Sequence, residues 1–158
     1  MKAFKAIAFF MFVAFAAQAQ TVTAAALIEK AACPEITCVD NFLKSTGFTE
    51  GEVYQDGDNT TGFYKVEAAI KDSTGHYNSF MVTMDSKSSS LSFSTFEGAK
   101  YTTLLSEFTA LGFKETPSDG NTDLRNYKAS KYKKYKLTTN IVDNGSLRTY
   151  VVVVEYTK

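Results

Sequence analysis

Apolar residues recur along this chain at two spacings. Where they fall three and four apart, they predict helices. Val39, Phe42, Leu43 and Thr46 lead into Gly47-Phe48, and Leu104, Leu105, Phe108 and Leu111 lead into Gly112-Phe113. A glycine at that point suits the left-handed residue that ends a helix. A further helix is expected over Thr23 to Ala32. Where apolar residues alternate with polar ones, they predict half-buried strands. Tyr64, Val66, Ala68 and Ile70 form one such run, Phe80, Val82 and Met84 the next, and Leu91 with Phe93 a third. Asp72-Ser73-Thr74-Gly75 and the Ser-rich stretch Asp85 to Ser90 read as turns between them.

The same order is met twice. Glu50 and Glu115 each follow their glycine at the same distance. Asp56-Gly57-Asp58-Asn59-Thr60 matches Asp119-Gly120-Asn121-Thr122, and Tyr64-Lys65 matches Tyr127-Lys128. This ordered recurrence predicts an internal duplication. In the second pass Asn144-Gly145 is a hairpin signal. A two-residue loop there pairs Asp143 with Ser146. Thr139 then faces Tyr150, Leu137 faces Val152 and Tyr135 faces Val154, apolar face against apolar face.

The expected architecture is α+β: tandem αβββ repeats (about residues 20–97 and 98–158) with an extra N-terminal helix, and an antiparallel sheet with helices packed on one face. The pattern fits one continuous sheet and two packed sheets equally. In its order of elements it resembles β-lactamase inhibitor protein, which also has tandem helix-then-sheet repeats. It is also similar to the small helix-helix-three-strand modules of bacterial outer-membrane assembly lipoproteins. Here the cysteine spacing is shorter, and only one repeat carries cysteines. A likeness of element order speaks to fold and not to function.

The N-terminal stretch changes the picture of where this domain works. Lys2 and Lys5 precede the uncharged apolar run Ala6 to Ala16, and Ala17-Gln18-Ala19 follows as a small-residue cleavage pattern. Residues 1–19 are therefore expected to be a signal peptide, leaving 20–158 as a single domain that is secreted or periplasmic. The run is shorter than the ~20 apolar residues that span a bilayer, so no stable membrane insertion is expected. Losing Lys2 and Lys5 shifts the formal charge from 17 − 17 = 0 to 15 − 17 = −2. That balance argues against a general nucleic-acid binder, whose affinity rests on many phosphate contacts from Lys and Arg.

Cys33 and Cys38 are the only cysteines, and export favours a disulfide between them. In an unbroken helix, residues five apart have Cα atoms roughly 8.6 Å apart, whereas a disulfide needs less than ~7 Å. A bridge requires a helix break, and Pro34 stands where it can make one.

Candidate chemistry is sparse. His76, the only histidine, is expected beside a hairpin turn. With the cysteines bridged, no Cys nucleophile remains. Asp56, Asp58, Asp72, Asp85, Asp119, Asp123 and Asp143 fall in expected turns, where carboxylates serve local hydrogen bonds. A carboxylate-based hydrolase would need two of them in one cleft, and the sequence singles out no pair. Asp56, Asp58, Thr60 and Glu67 take positions 1, 3, 5 and 12 of an EF-hand-like loop, but position 6 is Thr61 where glycine is required. A turn is the better reading, with no metal or other cofactor.

Two surfaces remain. The segment 125–136 holds six basic residues and three tyrosines. Arg125, Lys128, Tyr132 and Lys134 are its candidates for binding a glycan or another small anionic ligand. The sheet face turned away from the helices is the other. By alternation it carries Lys65, Glu67, Ser79, Met81, Thr83, Ser92 and Ser94 in the first pass. In the second it carries Lys136, Thr138, Asn140, Val151 and Val153. The leading expectation is a non-catalytic binding protein that engages an envelope or extracellular protein through this face.

Overall fold

The computed structural model of the chain describes residues 22–57, 59–65, 77–117, 120 and 123–158. The expected signal peptide, the run Val66 to Ile70, the turn at 72–75, His76, Asp58, Glu67 and Asp119 lie outside them. The described residues form three helices, α1 (Ala24–Ala31), α2 (Ile36–Ser45) and α3 (Gly98–Ala110). They also form eight strands: β1 (Thr49–Asp56), β2 (Asn59–Lys65), β3 (Ser79–Met84), β4 (Ser88–Thr95), β5 (Lys114–Thr116), β6 (Leu124–Lys128), β7 (Tyr135–Asp143) and β8 (Arg148–Thr157). The fold is α+β. All eight strands pair antiparallel in one continuous sheet, in the order β1-β2-β3-β4-β8-β7-β6-β5. Each half is a four-strand meander, and the two meet where β4 pairs with β8.

Both Gly-Phe helix ends form as the pattern predicts. Gly47 and Gly112 have φ of 89° and 93°, a region that costs glycine little. The next amide reaches back to the last turn: Phe48 N–H to the Leu43 carbonyl at 2.9 Å, and Phe113 N–H to that of Phe108 at 3.0 Å. Both phenylalanines are then buried.

The strand count differs from the expectation. β1 and β5 follow the Gly-Phe ends directly, so each helix is succeeded by four strands and not three. β1 is exposed along its whole length. With no buried face there is no selection for alternating apolar residues, and the period-two signal is absent. Ser88 to Ser90, expected as turn, begin β4, and the reversal is confined to Asp85–Ser88. Both sheet edges are blunted, β5 by its three residues and β1 by a bulge between Glu50 and Val53.

The last hairpin also differs, in an instructive way. Asp143 pairs with Arg148, and Leu137, Thr139 and Tyr135 face Val154, Val152 and Tyr156. The turn is centred on Gly145-Ser146, closed by the Asn144 N–H to the Leu147 carbonyl at 3.0 Å. Gly145 has φ 81°, and glycine at the first central position is a favoured hairpin arrangement. Moving the turn centre by one residue moves the register by two. A two-residue shift keeps every side chain on its expected face, while changing each cross-strand partner.

All three helices lie on one face of the sheet. Beneath them run Phe80, Phe93 and Val152, then Val82, Leu91, Val154 and Leu137, all with no exposed surface. Leu27 of α1, Leu43 of α2 and Leu104 and Phe108 of α3 close over these rows. Each such side chain contributes about 1.5–3 kcal/mol by leaving water. Cys33 lies in the corner between α1 and α2, and Cys38 in the first turn of α2. The corner brings their Cα atoms to 5.9 Å and their sulfurs to bonding distance, 1.99 Å. Among the described residues no helix is long and apolar enough to cross a membrane.

Candidate binding surfaces

Among the described residues, no helix packs on the sheet face opposite α1, α2 and α3. The register lays the side chains of this face in rows that cross the strands. One row runs Met81, Ser92, Val153, Thr138 and Asn126, from β3 to β6. A second holds Ser79, Ser94, Val151 and Asn140, and a third Thr83, Ser90, Glu155 and Lys136. Of the residues expected on this face, Met81, Thr83, Lys136, Thr138, Asn140, Val151 and Val153 stand in these rows together with Ser79, Ser92 and Ser94. Most are short, and half of their surface or more is shielded by neighbours. Met81 is 49% exposed. Within the face the Thr138 hydroxyl donates to the Asn126 side-chain oxygen at 3.1 Å, which orders β6 against β7.

The basic Tyr-rich segment folds differently from a simple edge. β6 ends at Lys128, the chain turns through a short 3₁₀ turn (Ser130–Tyr132), and β7 begins at Tyr135. Between these lies a groove of about 510 Å³, walled by Lys128, Ser130, Lys133, Lys134, Lys136, Glu155 and Thr157 with Tyr132 and Tyr135. Its tyrosines belong to an aromatic chain. Tyr132 stacks on Phe113 at 5.5 Å, meets Tyr135 edge-on at 5.6 Å, and Tyr135 packs on Tyr156 at 4.9 Å. Burial pushes the Tyr135 phenol above its ordinary value, and the neighbouring Tyr156 and Tyr132 hydroxyls add to this. The ring therefore stays neutral at physiological pH, and the charge of the groove is set by its lysines and Glu155.

Of the four segment candidates, Lys128, Tyr132 and Lys134 are brought together at the groove. Arg125 is not. It pairs across strands with Thr139, whose buried hydroxyl accepts from Tyr101 of α3. Arg125 therefore lies on the helix side of the sheet, where its guanidinium reaches Glu115 at 3.4 Å. Glu155 and Tyr156 were not legible as part of this site. The hairpin register expected from Asn144-Gly145 sets Val154 opposite Tyr135. The observed register sets Tyr156 there and Glu155 opposite Lys136.

Comparison with protein families, with characterised proteins and with solved structures finds no match to this chain.

The turn carboxylates that show hydrogen bonds spend them locally. Asp85 accepts the backbone amides of Lys87 and Ser88 at 2.7 and 2.6 Å, and Asp143 accepts from Arg148 at 2.8 Å. Asp56, position 1 of the EF-hand-like spacing and an expected turn residue, pairs with Asn59 across the β1–β2 hairpin turn. Among the described residues no three His, Cys, Asp or Glu side chains gather in a way that could hold a metal ion.

Proposed function

We propose that this chain is an exported, non-catalytic binding protein that grips a protein partner on the sheet face turned away from its helices. The observation that carries the reading is the row Met81–Ser92–Val153–Thr138–Asn126, which crosses five strands on the face turned away from α1, α2 and α3. Eight strands spaced ~4.8 Å apart and ~20 Å long present roughly 700 Å² of sheet. That is close to the ~800 Å² each partner contributes to a standard interface. Met81, Val151 and Val153 supply an apolar centre, and serine, threonine and asparagine supply a hydrogen-bonding surround. The complementary partner has a flat surface with a small apolar knob and a polar rim.

The reading includes an internal duplication, as one αββββ unit used twice. Two features support it: the matched Gly-Phe helix ends, and a strand order that mirrors itself about the β4–β8 pair. It also includes cleavage of residues 1–19 and a secreted or periplasmic setting, which the bonded Cys33–Cys38 pair supports.

The test is site-specific. A photo-crosslinking residue at Thr138 should capture one partner, and the same residue at Thr102, exposed on α3, should not. Met81→Asp with Val151→Asp should abolish the Thr138 crosslink while the melting temperature holds. Equal capture from both positions, or capture that survives both substitutions, would remove the face assignment.

A further inference from the structure

The chain balances its charges overall and gathers them in one place. Its formal charge is zero over 158 residues. Lys128, Lys131, Lys133, Lys134 and Lys136 nevertheless crowd the two arms of the 3₁₀ turn, and all five are exposed. Among the described residues none of them makes a salt bridge, whereas Lys30, Lys44 and Lys100 each lie within 3.3 Å of a carboxylate. Uncompensated like charges repel, and their gathering around a concave site favours an anion there. Two of the ammonium groups are held over aromatic rings, Lys131 at 5.5 Å over Tyr132 and Lys134 at 5.6 Å over Tyr156. This cation–π contact orders long side chains before any ligand arrives.

The groove also says which anion. Its volume, about 510 Å³, is within the range of small-ligand sites. Binding of a nucleic-acid base would need a free ring face to stack on. Phe113 and the Lys131 ammonium already lie over the Tyr132 ring, and Tyr135 is engaged by Tyr132 and Tyr156. Glu155 stands in the wall among the lysines. A carboxylate there can accept hydrogen bonds from hydroxyl groups, as can the Ser130 and Thr157 oxygens.

We infer that the groove between β6, the 3₁₀ turn and β7 binds an acidic oligosaccharide. Its lysines meet carboxylate or sulfate groups, and Glu155, Ser130 and Thr157 meet sugar hydroxyls. The groove adjoins the protein-binding face proposed above, and Lys136 and Glu155 border both.

The experiment is calorimetric titration of residues 20–158 with three oligosaccharides of matched length: sulfated dextran, polygalacturonate and neutral dextran. Sulfated dextran, polygalacturonate or both should bind, and neutral dextran should not. Lys133→Glu with Lys134→Glu should weaken the acidic ligand by about tenfold or more, since two exposed attractions become repulsions. Lys44→Glu with Lys100→Glu makes the same change in net charge away from the groove and should leave affinity within about twofold. Neutral dextran binding equally well, or no acidic sugar binding at all, would overturn the assignment. So would equal weakening by both pairs, which would mean that only net charge matters. Inorganic sulfate matching the sulfated sugar in affinity would also overturn it, because the sugar hydroxyls would then contribute nothing.

Discussion

The carboxylate of Glu107, on α3, accepts the backbone N–H of Ala24 at 2.7 Å and so caps a helix that begins 83 residues earlier. The Thr23 hydroxyl accepts the Ala26 N–H of the same helix at 3.2 Å. Two of the four amides that every helix N-terminus leaves open are thereby satisfied, one locally and one from another element. The negative charge also suits the positive end of the helix dipole.

Glu107→Ala should therefore lower stability by about 1 kcal/mol, the usual cost of losing a cap. Glu107→Gln, which keeps an acceptor and loses the charge, should cost less. Urea titration checks both: the midpoint should fall in that order with the slope unchanged.

Ser89 makes a similar long-range tie. Its hydroxyl, almost wholly buried, donates to the Ala31 carbonyl in the last turn of α1. Ser89→Ala leaves that carbonyl without its partner and should cost about 1–3 kcal/mol. A loss no larger than that of an exposed substitution such as Ser106→Ala would show that water replaces the hydroxyl.

Acid should loosen the β3–β4 turn. The amides of Lys87 and Ser88 hold the Asp85 carboxyl below its ordinary value of 3.8. A group depressed in the folded state contributes stability that is present above its unfolded value and is lost as pH falls through the folded one. Asp85→Asn should thus be less stable than the parent at pH 7, with the gap closing below about pH 4. Melts from pH 7 to 2.5 give the comparison. A gap that stays constant would mean that the charge of Asp85 is irrelevant to the turn.

Opening the Cys33–Cys38 bond should have a modest effect. The loop it closes is short, with a sequence separation of 5, and the chain-entropy relation gives about 2 kcal/mol for such a loop. Cys33→Ser with Cys38→Ser should lower the melting temperature without changing the sheet signal in circular dichroism. Loss of the fold altogether would make this corner a condition of folding and not a staple.

What was legible in the sequence follows from what is buried. Helix ends at Gly47 and Gly112 were readable because a left-handed residue and a buried phenylalanine leave a strong local mark. β3 alternates between the core and the opposite face, with Phe80, Val82 and Met84 set against Ser79, Met81 and Thr83, and the same alternation in β7 and β8 sets Lys136, Thr138, Asn140, Val151 and Val153 on that opposite face. β1 has no core side, so it left no trace. The turn at Asn144 to Leu147 was found but centred one residue early, since Asn-Gly and Gly-Ser are both acceptable hairpin pairs. That displacement preserved faces and lost partners, which is why the opposite face was anticipated and the groove wall at Glu155 and Tyr156 was not.

The β4–β8 pairing also bears on the order in which this molecule assembles. Leu91 and Val154 lie opposite one another across it, 63 residues apart in the chain (154 − 91). Every other strand pairing links neighbours in sequence and can close locally, on the ~1–10 μs scale of a hairpin. The middle of the sheet has to wait for its most distant partner. Until β8 arrives, β4 is an unpaired edge beside Leu91 and Phe93, the kind of edge that invites the wrong neighbour. The two blunted rims protect the finished molecule, and the hazard during synthesis lies at its centre.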